Sequence, residues 1–347
     1  MIAIVGGGIT GLLLSYHLDA RGVPHTVLEA EARPGGVIRS GRVDGLLLEW
    51  GPQRARLTDG LRRLIADLGL EDDVILAPSG LPLWVWAGGK LRRVPFSAGE
   101  FLRSDIASPA GKARLLLEPL TSGAVPDERV ATYFTRKVGR ELYENLIGPL
   151  YGGLYGSDPA DMVVRLSLGH VLREFDVGRS LVLPLLRRGG RVDPPPACSF
   201  QDGMQMLPDA LYRRCREHVR LATPVRGLER RGGAWRLRLD AGELEAEQVV
   251  LACPAPVVAG LLRDAAPVAA ERIGRLRYNP LGVVHLHADT ELRGLGYQVS
   301  FAETLATRGV TFNDSLFGRR GVYTVYLGGA KRPEVVAEPD EKLAGIA

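Results

Sequence analysis

Cysteine is scarce in this sequence, and its spacing argues against disulfide bonds. The 347 residues include three cysteines, Cys198, Cys215 and Cys253, and no two of them form a C-x-x-C pair. An odd number of widely spaced cysteines is typical of reduced thiols in a cytoplasm rather than of a disulfide framework. Cys253 has no partner cysteine or histidine at motif spacing, so we interpret it as a core residue rather than a redox thiol.

Long apolar runs are also missing. No run reaches the roughly 18 residues that a membrane-spanning helix needs. The sequence opens directly on an apolar strand without a charged leader, which predicts that the protein is not exported. With 46% hydrophobic and 24% charged residues, the composition is typical of a globular protein with a sizeable core. We therefore expect a cytoplasmic location, and peripheral contact with the inner face of the cell membrane stays open.

The sequence lacks the motifs of several catalytic and binding classes. The net charge of +4 comes from scattered arginine pairs, and no basic block with interleaved aromatic residues supports nucleic-acid binding. No Ser-His-Asp order, zinc motif or P-loop is present. His285 and His287 alternate onto one face of a predicted strand, but a third ligand at recognisable spacing is missing, so we predict no metal site. Any reactive group must then come from a bound cofactor.

What is present begins with the first thirty residues, which predict a strand, a tight turn and a helix. The apolar run Ile2–Val5 is followed by Gly6, Gly8 and Gly11 in G-x-G-x-x-G spacing and then by a run of helical periodicity. A second apolar strand ends at Glu29, where a carboxylate can accept hydrogen bonds from an adenosine ribose. Because a helix N-terminus favours phosphate, this segment predicts a dinucleotide site. Its predicted contacts are Gly6, Gly7, Gly8, Ile9, Thr10, Gly11, Glu29 and Ala30.

A second glycine pair, Gly35–Gly36, lies between an arginine and a strand that ends in a Gly-Pro turn. A nicotinamide-binding Rossmann unit does not need this segment. The run is similar to the glutathione-reductase-type FAD proteins of the flavin amine oxidase superfamily, and this resemblance implies FAD as the cofactor. It also implies contacts to the pyrophosphate, the flavin and, through the Val225 backbone, the adenine. The cofactor contacts implied by the resemblance are Arg33, Gly35, Gly36, Val37, Gly51, Pro52, Gln53, Arg54 and Val225.

Two later segments make the resemblance more specific. In residues 138–162 a helix leads into a Gly-Gly pair and an Asp-Pro step, and residues 200–211 carry a Gly-Met turn before a helix. Both resemble blocks of the protoporphyrinogen and coproporphyrinogen oxidases. With the matching segments 1–55 and 219–256, the resemblance spans almost the whole chain.

The resemblance implies a reaction as well as a fold. In that family the flavin N5 takes a hydride from a methylene bridge of a porphyrinogen, oxygen is the expected acceptor, and three such rounds give the porphyrin of haem biosynthesis. The flavin carries the chemistry, so we predict no catalytic side chain. The carboxylates of the tetrapyrrole need cations, for which Arg54, Arg56 and Arg93 are candidates. The choice between protoporphyrinogen and coproporphyrinogen stays open.

We expect an α/β fold with an α+β insertion. A Rossmann-like, three-layer FAD-binding domain is assembled from discontinuous segments, and a substrate domain combines a mixed sheet with helices. The resemblance implies that residues 1–77 and 200–256 form the FAD-binding domain and that residues 78–199 and 257–347 form the substrate domain. A change in composition marks residues 97–190 as a mostly helical insertion within the latter.

Several local features are also predicted. Thr58 and Gly69 mark the two ends of a helix, and Gly88–Gly89 marks the turn of a hairpin. Residues 181–196 read as an exposed loop, whose apolar start and neighbouring arginines make the insertion our candidate for membrane contact.

One departure from the resemblance concerns the cofactor site. The family continues past a strand like residues 321–329 into a glycine-rich block that completes the FAD site, and we expect this sequence to lack that block. It would then be either an incomplete copy or a shortened relative with weaker flavin retention.

Two alternative functions stay open. The first is another relative of the superfamily, such as a carotenoid desaturase or a polyamine oxidase, and the second is a nucleotide-binding module without activity. A homodimer is also compatible with the sequence.

Overall fold

The computed structural model describes residues 1–169, 172, 180–183 and 195–347. Within them the chain forms two compact units, Met1–Ala77 with Pro195–Tyr278 and Pro78–Pro194 with Asn279–Ala347. Most of the loop predicted at 181–196, with its arginines, lies outside the described residues.

The boundaries of these units differ from the predicted domain boundaries in two places. Residues 195–199 and 257–278, predicted to be in the substrate domain, belong to the first unit. The strand Ala197–Phe200 pairs antiparallel with both Ala55–Arg56 and Val74–Leu76, so it joins the unit that contains them. The helices that follow residue 254 pack on each other and on a strand of the same unit.

The strands are short, and several are buried along their whole length. Numbered along the chain they are β1 (Ile2–Val5), β2 (His25–Leu28), β3 (Ser40–Val43), β4 (Leu46–Glu49), β5 (Ala55–Arg56), β6 (Val74–Leu76), β7 (Leu83–Ala87), β8 (Lys90–Arg93), β9 (Ala197–Phe200), β10 (Val219–Arg220), β11 (Val225–Arg231), β12 (Ala234–Leu239), β13 (Gly242–Ala246), β14 (Gln248–Leu251), β15 (Leu281–His287), β16 (Gly296–Val299), β17 (Thr307–Phe312) and β18 (Val322–Gly328).

The helices are also short. They are α1 (Ile9–Asp19), α2 (Asp59–Asp67), α3 (Ala98–Arg103), α4 (Pro109–Leu115), α5 (Val130–Val138), α6 (Arg140–Leu142), α7 (Gly148–Tyr155), α8 (Val164–Ser167), α9 (Met206–Arg214), α10 (Ala255–Leu261), α11 (Pro267–Gly274), α12 (Asn313–Phe317) and α13 (Asp340–Ile346). A π turn, Tyr143–Ile147, joins α6 to α7, and 3₁₀ turns cover Glu71–Asp73, Glu118–Leu120, Arg216–His218 and Pro333–Ala337.

The first unit is built on a parallel sheet in the order β10-β2-β1-β14. Alternate residues of β1 point to opposite faces. Ile4 packs with Leu12 of α1 and Leu211 of α9, whereas Val5 packs with Leu237 in the antiparallel sheet β11-β12-β13. Helices, parallel sheet and antiparallel sheet therefore form the three layers that the sequence predicts.

The second unit contains a six-stranded sheet in the order β15-β18-β17-β16-β7-β8. Its pairs are antiparallel except for β16 with β7. One face buries Phe312, Tyr323 and Val325 against Val335. The predicted hairpin is confirmed as β7 and β8, with Gly88 and Gly89 in the left-handed region at φ +60° and +72°.

The insertion predicted at 97–190 is helical where it is described, from α3 to α8. None of its described helices, nor any other in the described part of the chain, is long and apolar enough to span a membrane. Its core contains an ion pair between Lys137 Nζ and Glu118 Oε1 at 2.7 Å, with both side chains fully buried. Glu118 also accepts hydrogen bonds from Ser180 Oγ at 2.6 Å and Leu181 N at 3.0 Å. Burial raises the pKa of Glu118, but the bonds from Lys137, Ser180 and Leu181 outweigh it and leave that pKa below its usual value.

We expect Glu118→Gln to destabilise the second unit by about 3–5 kcal/mol, because it leaves the Lys137 charge buried without its counter-charge. Thermal unfolding at pH 7 measures the effect. Glu100→Gln is the matched control: its side chain is partly exposed and lies 3.6 Å from Arg93, so the cost should stay within about 0.5 kcal/mol.

The same pair predicts a pH dependence. The folded pKa of Glu118 lies below the unfolded value, so the stability from this carboxylate is present at neutral pH and is lost as the pH falls through the folded pKa. The difference in melting temperature between wild type and Glu118→Gln should therefore narrow below about pH 4. A difference that stays constant down to pH 3 would contradict this role of the ion pair.

Candidate functional site

The turn between β1 and α1 brings two backbone segments into direct contact. A Cβ on Gly11 would overlap the carbonyl oxygen of Gly6, so only glycine allows the helix to begin so close to the strand end. Gly6 has φ +113° and donates its N–H to Leu28 O at 2.9 Å. The three glycines of the motif thus lie at the carboxyl edge of the parallel sheet.

The N-terminus of α1 has no side-chain cap. Gly8 is its N-cap residue, and the first N–H groups of a helix have no acceptor within that helix. Ile9, Thr10 and Gly11 occupy this first turn. The arrangement can therefore bind an anion such as a pyrophosphate through backbone N–H groups and the helix dipole.

Glu29 lies at the end of β2, beside this turn. Its Oε2 accepts a hydrogen bond from Gly7 N, and its Oε1 accepts one from Glu31 N at 2.8 Å. A Cβ on Gly7 would lie 2.8 Å from Glu29 Cβ. The buried carboxylate is held by two backbone donors and keeps lone pairs for further donors, such as ribose hydroxyls. Ala30, which follows it, is exposed.

The loop that carries the second glycine pair, Gly35–Gly36, lies against the first glycine turn. Gly35 N donates to Gly7 O at 2.9 Å, and a Cβ on Gly36 would lie 3.3 Å from Gly8 Cα. Arg33 donates to the carbonyl oxygens of Pro34, Gly36 and Ile38 at 3.3, 2.8 and 3.2 Å. In this structure the guanidinium of Arg33 therefore holds the loop in shape.

Residues 51–54 lie against the same loop. A Cβ on Gly51 would overlap Val37 O, and buried Gln53 donates from Nε2 to Glu49 O at 3.0 Å and Gly51 O at 3.2 Å. Val37 is 79% exposed, and Pro52 is also exposed. An apolar surface next to the glycine turns is thus open to a planar ligand such as an isoalloxazine ring.

The segment before Val225 is bonded to the end of β2. Thr223 N donates to Glu29 O at 2.7 Å, and Ala222 N donates to Glu31 O at 2.9 Å. Val225, the first residue of β11, packs in the same cluster as Val5 and Leu28. The structure therefore brings Val225 to the same sheet edge as the glycine turn and Glu29.

Sequence reasoning did not single out the residues that tie this edge together. Buried Glu49 accepts hydrogen bonds from Ser40 Oγ and, at 2.9 Å, from Met204 N. Gln205 N donates to Ser40 Oγ at 3.0 Å, and its Nε2 donates to Pro34 O at 3.4 Å. Two sequence features could have indicated these residues: the carboxylate at the end of the apolar run 46–49, and Gly203 in the Gly-Met turn.

The three arginines predicted to bind substrate occupy different settings. Arg54 is partly buried in the first unit, and exposed Arg56 donates to Pro195 O at 3.1 Å. Arg93 belongs to the second unit and lies 3.6 Å from Glu100. Cys253, interpreted as a core residue, lies next to the Gly6 turn, and burial raises the pKa of its thiol.

The chain is similar in sequence to known flavoproteins. The family described as flavin containing amine oxidoreductase matches residues 9–347. The chloroplastic protoporphyrinogen oxidase of Nicotiana tabacum is 28% identical, over 99% of this chain and 70% of that protein.

Solved structures share the fold. A protein from Exiguobacterium sp. 255-15, provisionally named a protoporphyrinogen oxidase, superposes with a TM-score of 0.84 and 24% identity over 99% of this chain and 80% of that one. A putrescine oxidase variant superposes with a TM-score of 0.73 and 19% identity over 100% of this chain and 80% of that one.

We expect Gly11→Ala to weaken FAD retention by about tenfold or more, because relieving the clash with Gly6 O displaces the helix N-terminus at a cost of about 1–3 kcal/mol. Flavin absorbance per protein after dialysis at a series of FAD concentrations measures the affinity. Gly60→Ala is the control, since the nearest atom to its Cβ would be Thr58 Oγ1 at 4.0 Å. Equal flavin content in both variants would contradict a cofactor site at this turn.

Proposed function

The chain belongs to the family of flavin-containing amine oxidoreductases and is an FAD-dependent oxidoreductase, and on this premise we propose that it oxidises a porphyrinogen to the porphyrin in haem biosynthesis. The observation that carries the proposal is the similarity to protoporphyrinogen oxidase over 99% of the chain. The likeness to putrescine oxidase supports the fold alone, because one fold hosts many substrates.

The residues at the carboxyl edge of the first sheet fit FAD. In the proposed site the N–H groups of the first turn of α1 bind the pyrophosphate, and Glu29 accepts the ribose hydroxyls. Gly36, Val37 and Pro52 form the apolar surface for the flavin. FAD, when bound, accepts the hydride of the substrate and passes the electrons to oxygen.

The contribution of the chain itself is positioning and electrostatics. The uncapped N-terminus of α1 offsets the pyrophosphate charge. Arg33 fixes the carbonyl groups of the loop 34–38. The hydrogen bonds that Glu49 accepts from Ser40 and Met204 fix the hairpin β3–β4 against the turn before α9. We assign no proton transfer to any of these side chains.

A membrane surface is the proposed location of the protein, on the cytoplasmic side. Three leucines in and after α3 and α4 are exposed: Leu102 of α3 by 68%, Leu116, which follows α4, by 80%, and Leu120 at the end of the next 3₁₀ turn by 79%. Arg103, which follows Leu102, is also exposed. Apolar side chains with a neighbouring cation suit the interface of an anionic bilayer. The homodimer stays a prediction from the sequence.

The reaction is tested by aerobic turnover. With FAD-loaded protein we expect porphyrin fluorescence to develop from protoporphyrinogen IX or coproporphyrinogen III, together with roughly three peroxides per porphyrin, one for each two-electron round. The Gly11→Ala variant serves as the flavin-poor control. Peroxide formed from putrescine, or desaturation of a carotenoid precursor, without porphyrin from either porphyrinogen would establish one of the alternative functions.

The membrane surface is tested with vesicles of phosphatidylcholine and phosphatidylglycerol. We expect the triple variant Leu102→Ser, Leu116→Ser and Leu120→Ser to bind at least about tenfold more weakly than wild type, since each leucine contributes roughly 1.5–3 kcal/mol when buried. Leu154→Ser with Leu166→Ser is the control, because these leucines are equally exposed elsewhere in the unit. Equal binding by wild type and both variants in a flotation assay would exclude this surface.

A further inference from the structure

Arg308 is a buried cation of the second unit whose N–H groups are only partly used. The residue is 8% exposed. Its Nη2 donates to Leu305 O, whereas Nε and Nη1 meet no acceptor among the residues that the structure describes. Three N–H bonds of a charged group, one on Nε and two on Nη1, are therefore buried without hydrogen bonds. Such groups are costly to leave unpaired, and each exception needs an explanation.

The charged groups near Arg308 have both signs, and the effect of the nearby cation on its pKa is larger than that of the nearby carboxylate. Its Cζ lies 5.5 Å from the centroid of the Phe301 ring, and Lys331 Nζ lies 5.6 Å from the same centroid. Burial lowers the pKa of Arg308, Arg332 lowers it further, and Asp158 raises it by less than either. The charge of Arg332 is itself matched by Glu334 at 2.6 Å. In the described part of the chain no carboxylate lies within 4 Å of Arg308 or Lys331.

The strand pairing is irregular at Arg308. The pairing of β17 with β18 shifts between Thr307 and Gly309, so Arg308 is the extra residue of a β-bulge. Bulges redirect a side chain and are frequent beside functional sites. Gly329, which has φ +72°, lies in van der Waals range of the Arg308 stem.

We propose that Arg308, together with Lys331, binds a carboxylate of the substrate. This assignment rests on the proposed function, because a porphyrinogen carries carboxylates on an apolar frame. A guanidinium matches a carboxylate in plane and charge, and the Phe301 ring offers an apolar surface next to it. Nε and Nη1 have no contact with solvent, so the ligand reaches them only when the side chains that cover them move. Lys331, whose Nζ donates to Phe301 O beside the same ring, can then pair with the same carboxylate.

A purely structural arginine would behave differently. Its removal would destabilise the protein, because the bond to Leu305 O and the contact with Phe301 would be lost. An anion-binding arginine that lacks its ligand is a buried, uncompensated charge, and replacing such a charge by an apolar residue of similar size is often neutral or stabilising. Arg308→Met therefore separates the two roles in the ligand-free protein.

The experiment measures binding and stability together. Coproporphyrin III and its tetramethyl ester are titrated into wild type, Arg308→Met, Arg308→Lys and the control Arg320→Gln, which removes an exposed arginine of the same unit. We expect Arg308→Met to bind the acid about 10- to 100-fold more weakly, to bind the ester as wild type does, and to keep or raise the melting temperature. Arg308→Lys should lie between wild type and Arg308→Met.

Either of two results for Arg308→Met would overturn the assignment. The first is an unchanged affinity for the acid, and the second is a loss of stability, seen as a lower melting temperature or as failure to fold. A second arm separates this assignment from the proposed function. If wild type binds neither porphyrin, the porphyrinogen proposal fails. The effect of 1-naphthoate on the melting temperature is then compared with that of neutral 1-naphthamide. A rise in melting temperature with the naphthoate in wild type, and none in Arg308→Met, would keep the carboxylate site. If naphthoate raises the melting temperature of neither protein, the carboxylate site is excluded.

Discussion

The contact between the Gly6 carbonyl and the Gly11 backbone is the constraint on which the first unit depends. Because no side chain separates them, α1 begins directly at the end of β1 and its first N–H groups lie at the carboxyl edge of the parallel sheet. Parallel pairing of β1 with β2 brings Glu29 to the same edge, and Gly7 N binds its carboxylate. A site for a phosphate and a ribose thus follows from one close approach of backbone to backbone.

A second, non-local interaction completes this edge. The chain leaves the first unit after Ala77 and re-enters it at Pro195, and buried Glu49 joins the two segments through its bond from Met204 N. Because Ser40 bonds both Glu49 and Gln205, the hairpin β3–β4 and the turn before α9 are held as one piece. The glycine loop at 35–36 lies against that piece, so its shape depends on residues far apart in sequence.

The sequence was most informative where structure is local. The G-x-G-x-x-G turn, the hairpin at Gly88–Gly89 and the helix capped by Thr58, which accepts a bond from Leu61 N, each depend on neighbouring residues. The sequence was least informative where pairing is long-range. Residues 197–199 of β9 are predicted to be in the substrate domain, whereas they pair with strands of the first unit that lie more than a hundred residues away in sequence. Arg308 follows no motif, and it is marked only by its burial with Nε and Nη1 lacking acceptors among the described residues.

In the function that we propose, FAD held at the Gly6–Gly11 turn takes electrons from a porphyrinogen. The most direct measurement is the flavin absorbance near 450 nm of the FAD-loaded protein, recorded under strict exclusion of oxygen while porphyrinogen is added. We expect the absorbance to fall as porphyrinogen is added and to return when air is admitted. A flavin that stays oxidised with both protoporphyrinogen IX and coproporphyrinogen III, in a protein that retains FAD, would contradict it.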